Sequence, residues 1–277
     1  MRFRSLSALA AAVLLAGVAP AIAKAPKHVI LIMMENHGTD TILGNMEDTP
    51  FLNALIKEKG VRYATQYYGV THPSLPNYLA LIGGDFMGVH DDCKAGADVK
   101  CKPEEFVPDA EEKPMAGQLL TEDQEREAAE TAHLFPGKTL IDRFDEAGVS
   151  WKVYMQGMPA DHKLVEYWPM DASGKVIAKL YAQKHNPFVY FSGFVDKPER
   201  MAKLMPYDGF AADLQGGLPG FTWISPDQCH DMHGMSASGA KAIGNEACAY
   251  PKSGLDHSVI KLGDDYLKET VEAIRNS

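Results

Sequence analysis

The sequence feature that most limits the fold is a continuous apolar run, His28 to Met34 (HVILIMM), which stops abruptly at Glu35-Asn36-His37. A strand with one wet face alternates apolar and polar residues, so a run without alternation belongs to a strand covered on both faces, as in a parallel sheet. Thr49-Pro50 then opens a helix, with Thr as N-cap and Pro in the first turn, that runs through Phe51, Leu52, Leu55 and Ile56 to Gly60. Val61 to Tyr68 reads as a β-prone stretch. A helix from Thr139 to Glu146 closed by Gly148, a strand Val149 to Met155, an apolar strand Pro187 to Phe191 and a strand Phe221 to Ile224 continue the alternation. The pattern predicts an α/β domain with a mostly parallel central sheet, helices on both faces and right-handed crossovers. In such sheets ligands collect at the carboxyl ends of strands.

The first 23 residues have a basic start at Arg2 and Arg4, an apolar stretch and Ala21-Ile22-Ala23 as a small-residue cleavage site. This is the build of a secretory signal peptide, so the mature domain is expected over 24–277, in the periplasm or outside the cell. The alternative, a membrane anchor, requires ~20 apolar residues. No other segment is apolar enough for a stable membrane anchor. A formal charge of −10 argues against nucleic acid as a partner. An anionic substrate would then need a local positive centre, for which a metal ion is a candidate.

Four cysteines fall into two local pairs, and in an exported protein the even count suggests disulfides Cys93–Cys101 and Cys229–Cys248, although three connectivities are open. A thiolate metal site lacks the Cys-x-x-Cys spacing it would need. Residues 102–136 turn acidic and lose apolar periodicity, apart from a short helix after Thr121, and read as a surface excursion or lid. The last helix, Val259 to Ile274, has no receiving strand before the sequence stops at Ser277. Either it packs as a terminal cover, or the sequence ends before the fold is complete.

Three strand-end segments carry the chemistry. In Thr71-His72-Pro73-Ser74-Leu75-Pro76-Asn77-Tyr78, Ser74 sits where a helix begins, beside unpaired N–H groups and the positive end of the helix dipole, which suits a phosphate. The alternative makes Ser74 only an N-cap. A serine hydroxyl needs activation, and metal coordination supplies it. Glu35 and Asn36 offer hard oxygen ligands after the first strand, unless they are only turn residues. In Ser225-Pro226-Asp227-Gln228-Cys229-His230-Asp231-Met232-His233-Gly234, Asp231-x-His233 offers a carboxylate and an imidazole to a metal or a leaving group, or else forms a polar loop held by Cys229. His185 is a candidate for phosphate contact, with a satisfied loop histidine as the alternative.

Taken together, Glu35-Asn36-His37, the Pro-Ser-Leu-Pro-Asn-Tyr run, Lys184-His185-Asn186-Pro187-Phe188 and Ser225-Pro226 followed by Asp231-x-His233 resemble the bacterial phosphoesterase family. That family contains acid phosphatases and phosphatidylcholine-type phospholipases C and belongs to the alkaline phosphatase superfamily. The Ser-Leu-Pro-Asn string also looks like the nucleophile segment of nucleotide pyrophosphatases, whereas the arginine of a sulfatase motif is absent. The resemblance implies an alkaline-phosphatase-like fold and a hydrolase acting on phosphoric ester bonds. It makes Ser74 the nucleophile and Asn77 a donor to the phosphoryl oxygens. Glu35, Asn36, Ser74, Asp231 and His233 become metal ligands, with His72, His185 and His233 lining the pocket.

The implied cofactor is a divalent ion, Mg²⁺, Mn²⁺, Ca²⁺ or Zn²⁺, with histidine ligation also admitting iron. The implied partner is a small phosphate ester or a phospholipid head group. An acid-phosphatase-like monoesterase is the leading expectation, and the alternatives are a phospholipase C or a relative that binds metal or phosphate without turnover. The phospholipase reading would gain from a cage formed by Tyr67, Tyr68, Trp168 and Trp223. Family members continue past the last helix into a ligand-bearing strand, and Asp264 and Asp265, which lie within a helix, are poor substitutes for its acidic pair, so a truncated site is expected. Asp227 stands where relatives often carry Asn.

Overall fold

The computed structural model describes residues 26–96, 101, 103, 120–250 and 257–277. The expected leader, 1–23, and residues 102 and 104–119 of the acidic segment lie outside these residues. The apolar run forms β1 (Val29–Ile32), followed along the chain by β2 (Trp151–Met155), β3 (Tyr167–Met170), β4 (Val176–Ala182), β5 (Leu204–Pro206) and β6 (Phe221–Ser225). Four of them make one parallel sheet in the order β1-β6-β2-β5, and β3 and β4 form a separate antiparallel hairpin.

Every residue of β6 is buried, as a central strand covered on both faces demands. Its side chains divide between two layers. On one face Trp223 packs with Val153, Met155 and Leu31 against Leu75, Tyr78, Leu79 and Ile82 of the Ser74–Gly83 helix and Ile141 of the Leu140–Ala147 helix. On the other, Ile224 and Tyr154 pack with Ile30 and Ile32 against Phe210 and Leu214 of the Phe210–Gly216 helix and Ile274 of the terminal helix, His257–Arg275. The sheet therefore has helices on both faces, as the alternation of elements predicts.

Register then places the site. Ile32 pairs with Ile224 and Met155 with Ser225, so the carboxyl ends of β1, β6 and β2 finish flush. Pairing continues past the strand ends through Met33 N–H to Ile224 O (2.9 Å) and Glu35 N–H to Asp231 O (2.7 Å).

The Leu140–Ala147 helix starts at Thr139 in a capping box with Asp142 and closes at Gly148, whose φ of +66° favours glycine. The Pro50–Leu55 helix is capped differently. Thr49 bonds backwards to Ile42 O and Asn45 O, and the first-turn N–H groups of Phe51 and Leu52 donate to the carboxylate of Asp264 at 2.8 and 2.9 Å. Asp264, buried in the terminal helix, thus acts as a cap in trans at the positive end of another helix dipole. Both cysteine pairs are bonded as expected, Cys93–Cys101 and Cys229–Cys248.

Three expectations are corrected. Pro187–Tyr190 is a 3-10 turn rather than a strand, with all four residues buried. A short apolar run fits a buried strand and a buried turn equally well, and Pro187 at the first position supplies the helical φ. Val61 to Tyr68 pairs with no strand, and Tyr67 and Tyr68 are each 77% exposed, so β propensity goes unrealised without a surface to pack on. The acidic excursion is not solvated to its end. A capping-box helix, Glu122–Glu130, leads to His133 and Phe135, both buried, with His133 Nε2 2.7 Å from Asp91 Oδ1.

Replacing Asp264 with Ala should leave two part-buried first-turn N–H groups without their carboxylate partner and lower stability by about 2 kcal/mol. Asp264→Asn, which keeps one acceptor oxygen, should cost about half as much. Chemical denaturation followed by circular dichroism measures both.

Candidate active site

Ser74 is the first residue of its helix, after Pro73, and its hydroxyl caps nothing. Instead Ser74 Oγ donates to Glu35 Oε1 at 2.5 Å, while Tyr78, one turn on, donates to Glu35 Oε2 at 3.0 Å. The spacing of three to four residues per turn puts both hydroxyls on one helix face over the end of β1. The N-cap alternative for Ser74 is therefore not what its geometry shows.

His185, buried in a short 3-10 turn after β4, lies over Glu35 with Nε2 3.6 Å from Oε1, and its Nδ1 is 3.1 Å from Asp231 Oδ2. The Tyr78 ring stacks on it, with centroids 5.1 Å apart and planes 12° apart. His233 approaches from the loop after β6. Its Nδ1 faces Gly234 O at 3.0 Å, a partner that can only accept, which turns the Nε2 lone pair toward the site. Asp231 Oδ1 holds that loop by accepting from His233 N at 2.7 Å.

Donor atoms of Glu35, His185 and His233 lie within 4.8 Å of one another. His185 Nε2 is buried without a hydrogen-bond partner, and Asp231 Oδ2 has only the 3.1 Å approach of His185 Nδ1. An orphaned imidazole nitrogen beside a carboxylate and a second imidazole matches what a divalent cation requires. The mixed nitrogen and oxygen set suits Zn²⁺, Mn²⁺ or Fe better than Ca²⁺ or Mg²⁺.

The electrostatics agree with that fit. Burial drives the His185 pKa down to about 4, and lowers that of His233, helped by the charges of His185 and Lys184. Both rings are then neutral near pH 7, the form a metal binds. Burial works against ionisation of Glu35, but His185, the Ser74 hydroxyl, His233 and Lys184 together hold its carboxyl below the usual range. Asp231, buried and facing the Glu35 charge, is pushed well above the usual range despite His233. A carboxylate as acidic as Glu35 is a weak base, so its pairing with Ser74 orients the hydroxyl more than it deprotonates it.

The remaining expected residues sit differently. Asn36 is exposed beside Glu35 in a left-handed conformation, φ +65°. Asn77 has both ends of its amide engaged with the loop before Ser74: Oδ1 accepts from Val70 N at 2.7 Å, and Nδ2 donates to Thr71 O and Pro73 O at 2.7 and 2.9 Å. His72 is exposed on that loop. Asp227 Oδ1 accepts from the N–H groups of Cys229 and His230, a turn role that the carbonyl oxygen of an Asn would fill equally. The four aromatic rings form no cage, because Trp223 is fully buried in the core while Tyr67 and Tyr68 stand in solvent.

Three residues belong to the site without having been assigned a role in it. Lys184 Nζ donates to Asp92 Oδ2 at 2.7 Å and lies 3.4 Å from His233 Nε2. Burial opposes its charge, yet Asp92 raises its pKa above the ordinary value. Asp92 Oδ1 also accepts from Leu75 N at 2.9 Å, tying the lysine to the first turn of the Ser74 helix. Tyr78 completes the set. Lys184 was legible as a neighbour of His185, but nothing local marks Asp92.

A parallel α/β sheet flanked by helices, with an acid–imidazole cluster at its carboxyl edge, is consistent with an alkaline-phosphatase-like fold. The profile of the phosphoesterase family matches residues 47–277, and the chain belongs to that family. It is 26% identical over 209 residues to a probable acid phosphatase of Kluyveromyces lactis, covering 75% of this chain and 39% of the relative. It is 26% identical over 195 residues to a phosphate-repressible acid phosphatase of Penicillium chrysogenum, covering 68% and 37%. A phosphatidylinositol-3-phosphatase of Mycobacterium tuberculosis is 27% identical over 225 residues, covering 80% and 57%. The chain thus spans less than two thirds of each relative.

Because His185 takes up a proton more readily unfolded (ordinary pKa 6.5) than folded (about 4), the stability it permits is present above pH 6.5 and declines as pH falls toward 4. Under chelation, the stability difference between the protein and His185→Gln should shift against the native histidine by roughly 2 kcal/mol between pH 6.5 and 5. Denaturant titrations at a series of pH values check this, and a pH-independent difference would show that His185 is not held neutral.

Proposed function

We propose that this chain hydrolyses phosphate monoesters through Ser74, assisted by a divalent metal ion held by Glu35, His185, His233 and Asp231, as an exported acid-phosphatase-like enzyme. The observation that carries the reading is the 2.5 Å bond from Ser74 Oγ to Glu35, beside the buried His185, whose Nε2 has no hydrogen-bond partner, and the half-buried His233. Family membership and relatives named as phosphatases support the reaction class. Two disulfides support an oxidising compartment, and among the described residues no helix is long and apolar enough to cross a membrane.

The chemistry follows from the residues. Glu35 and Tyr78 fix the serine hydroxyl at the helix start, where the dipole favours an incoming phosphoryl group. Ser74 Oγ gives up its proton as it bonds to phosphorus, the ester P–O bond breaks and the leaving oxygen departs as an alcohol by taking a proton from solvent; water then hydrolyses the phosphoserine, releasing phosphate and returning a proton to Ser74 Oγ. Lys184, positioned by Asp92, still has N–H groups with which to meet the phosphoryl oxygens, the role first expected of Asn77. A bound divalent ion would lower the pKa of the serine hydroxyl and polarise the phosphoryl oxygens. The phospholipase alternative loses its expected aromatic cage, and a monoester fits better.

The test is p-nitrophenyl phosphate hydrolysis by the protein and its Ser74→Ala variant, before and after chelation and with divalent metals restored. The expected result is turnover that chelation removes, metal restores, and Ser74→Ala lowers on the order of 10³-fold or more. Metal-dependent turnover that survives in Ser74→Ala would remove the serine from the mechanism. No turnover with any metal would leave only the reading of a relative that binds without reacting.

A further inference from the structure

Lys184 carries more donors than the protein itself satisfies. Its side chain is 11% exposed and that of its partner Asp92 16%, so little water reaches the ammonium. Of its three N–H groups, one is donated to Asp92 Oδ2 at 2.7 Å, and a second has only His233 Nε2, at 3.4 Å, beyond good hydrogen-bond length. That nitrogen belongs to the cluster that fits a metal ion, and a bound ion would use its lone pair. Two enclosed N–H groups are then left to meet an acceptor that enters the site.

The ammonium is also held at a set distance from the nucleophile. Asp92 accepts from Lys184 with one oxygen and from Leu75 N, next to Ser74, with the other, at 2.9 Å. The backbone around Asp92 is fixed in turn. Buried Asp91 accepts from Cys93 N at 2.9 Å and lies 2.7 Å from Nε2 of the buried His133, while Cys93 O accepts from the Tyr190 hydroxyl at 2.7 Å. A lysine is a point charge on a flexible stem unless its surroundings hold it, and here one carboxylate ties it to the start of the Ser74 helix. The Lys184–Asp92 pair is neutral as a whole, so what it offers a substrate is aimed donors rather than net charge.

We infer that Lys184, positioned by Asp92, makes the site selective for phosphate monoesters over phosphate diesters; this rests on the reading of Ser74 as the nucleophile. The two substrate classes differ in one group on phosphorus. A monoester has three terminal oxygens, whereas a diester has two and a second ester group. With the metal cluster and the start of the Ser74 helix facing two of the oxygens, Lys184 meets the third. A diester either puts its second ester group against the enclosed N–H donors or turns that group outward and gives up another oxygen contact. Sites built around a polar partner reject analogues that lack it far more strongly than apolar pockets reject a change of size. Lys184 thus separates the acid-phosphatase-like reading from the phospholipase one at phosphorus itself, independently of any cage for the alcohol.

The full chain, loaded with divalent metal, and its Lys184→Met, Lys184→Arg and Asp92→Asn variants are compared on p-nitrophenyl phosphate and bis(p-nitrophenyl) phosphate. Isothermal titration with inorganic phosphate and dimethyl phosphate supplies a readout that needs no turnover. Lys184→Met should lower kcat/KM for the monoester roughly 100-fold and for the diester less than about threefold. Asp92→Asn should narrow the ratio of the two roughly tenfold, and Lys184→Arg should restore part of it. Phosphate binding should weaken roughly tenfold or more in Lys184→Met, and dimethyl phosphate binding less than about twofold. That binding pattern without turnover would sink the hydrolase reading and leave the selectivity standing. Equal losses for monoester and diester, a phosphate affinity unchanged in Lys184→Met, or no phosphate binding by the native protein would each overturn the inference.

Discussion

One backbone hydrogen bond, from Glu35 N to Asp231 O, joins the loops that leave β1 and β6, and the arrangement of the site depends on it. It exists because the two strands are parallel, adjacent and in register at Ile32 and Ile224, so both loops start at the same height. The bond fixes the Glu35 backbone against the loop that carries His233. Ser74 arrives from the helix on one face of the sheet, and the terminal helix closes from the other. At Gly263 that helix comes so near Met232 that a Cβ would stand 2.2 Å from Met232 Cγ, and glycine is what allows the approach. Cys229–Cys248 holds the far side of the same loop.

The site is electrostatically strained in a way the core is not. Glu35 and Asp231 are both carboxyl groups under cover, His185 is buried with one nitrogen unpartnered, and the ammonium of Lys184 is bound to Asp92. Such groups cost stability unless a ligand satisfies them, and their concentration at one sheet edge marks a functional site. By contrast Arg200, also buried, is satisfied by Asp142, Asp145 and Gly193 O and serves packing alone.

Much of this could be read from the sequence where a local rule applied. The unbroken HVILIMM run gave a sheet covered on both faces, and the polar residues after each apolar run gave Glu35, Asp231 and His233. Ser74 followed from its place at the start of an apolar helix. What escaped depended on partners distant in sequence. Asp92 matters only because Lys184 and Leu75 meet it, and Asp264 only because the Pro50–Leu55 helix lacks its own cap. Pro187 to Phe191 has the composition of a strand, but Pro187 opens a 3-10 turn and the segment's pairing among the described residues is a single parallel bridge between Phe191 and Phe135. The β3–β4 hairpin has only a short local signal, a turn built by Asp171 and Gly174 and an alternation confined to residues 176–179.

The most direct test of the central claim, that Ser74 attacks phosphorus in the cluster formed by Glu35, His185 and His233, is to trap the covalent intermediate. The metal-loaded protein is mixed with p-nitrophenyl phosphate, quenched in acid within its first turnover, digested and mapped by mass spectrometry. One phosphoryl group on Ser74, absent in the chelated protein, is the predicted result. A phosphoryl group on His185 or His233, or full turnover with no covalent label, would contradict the account.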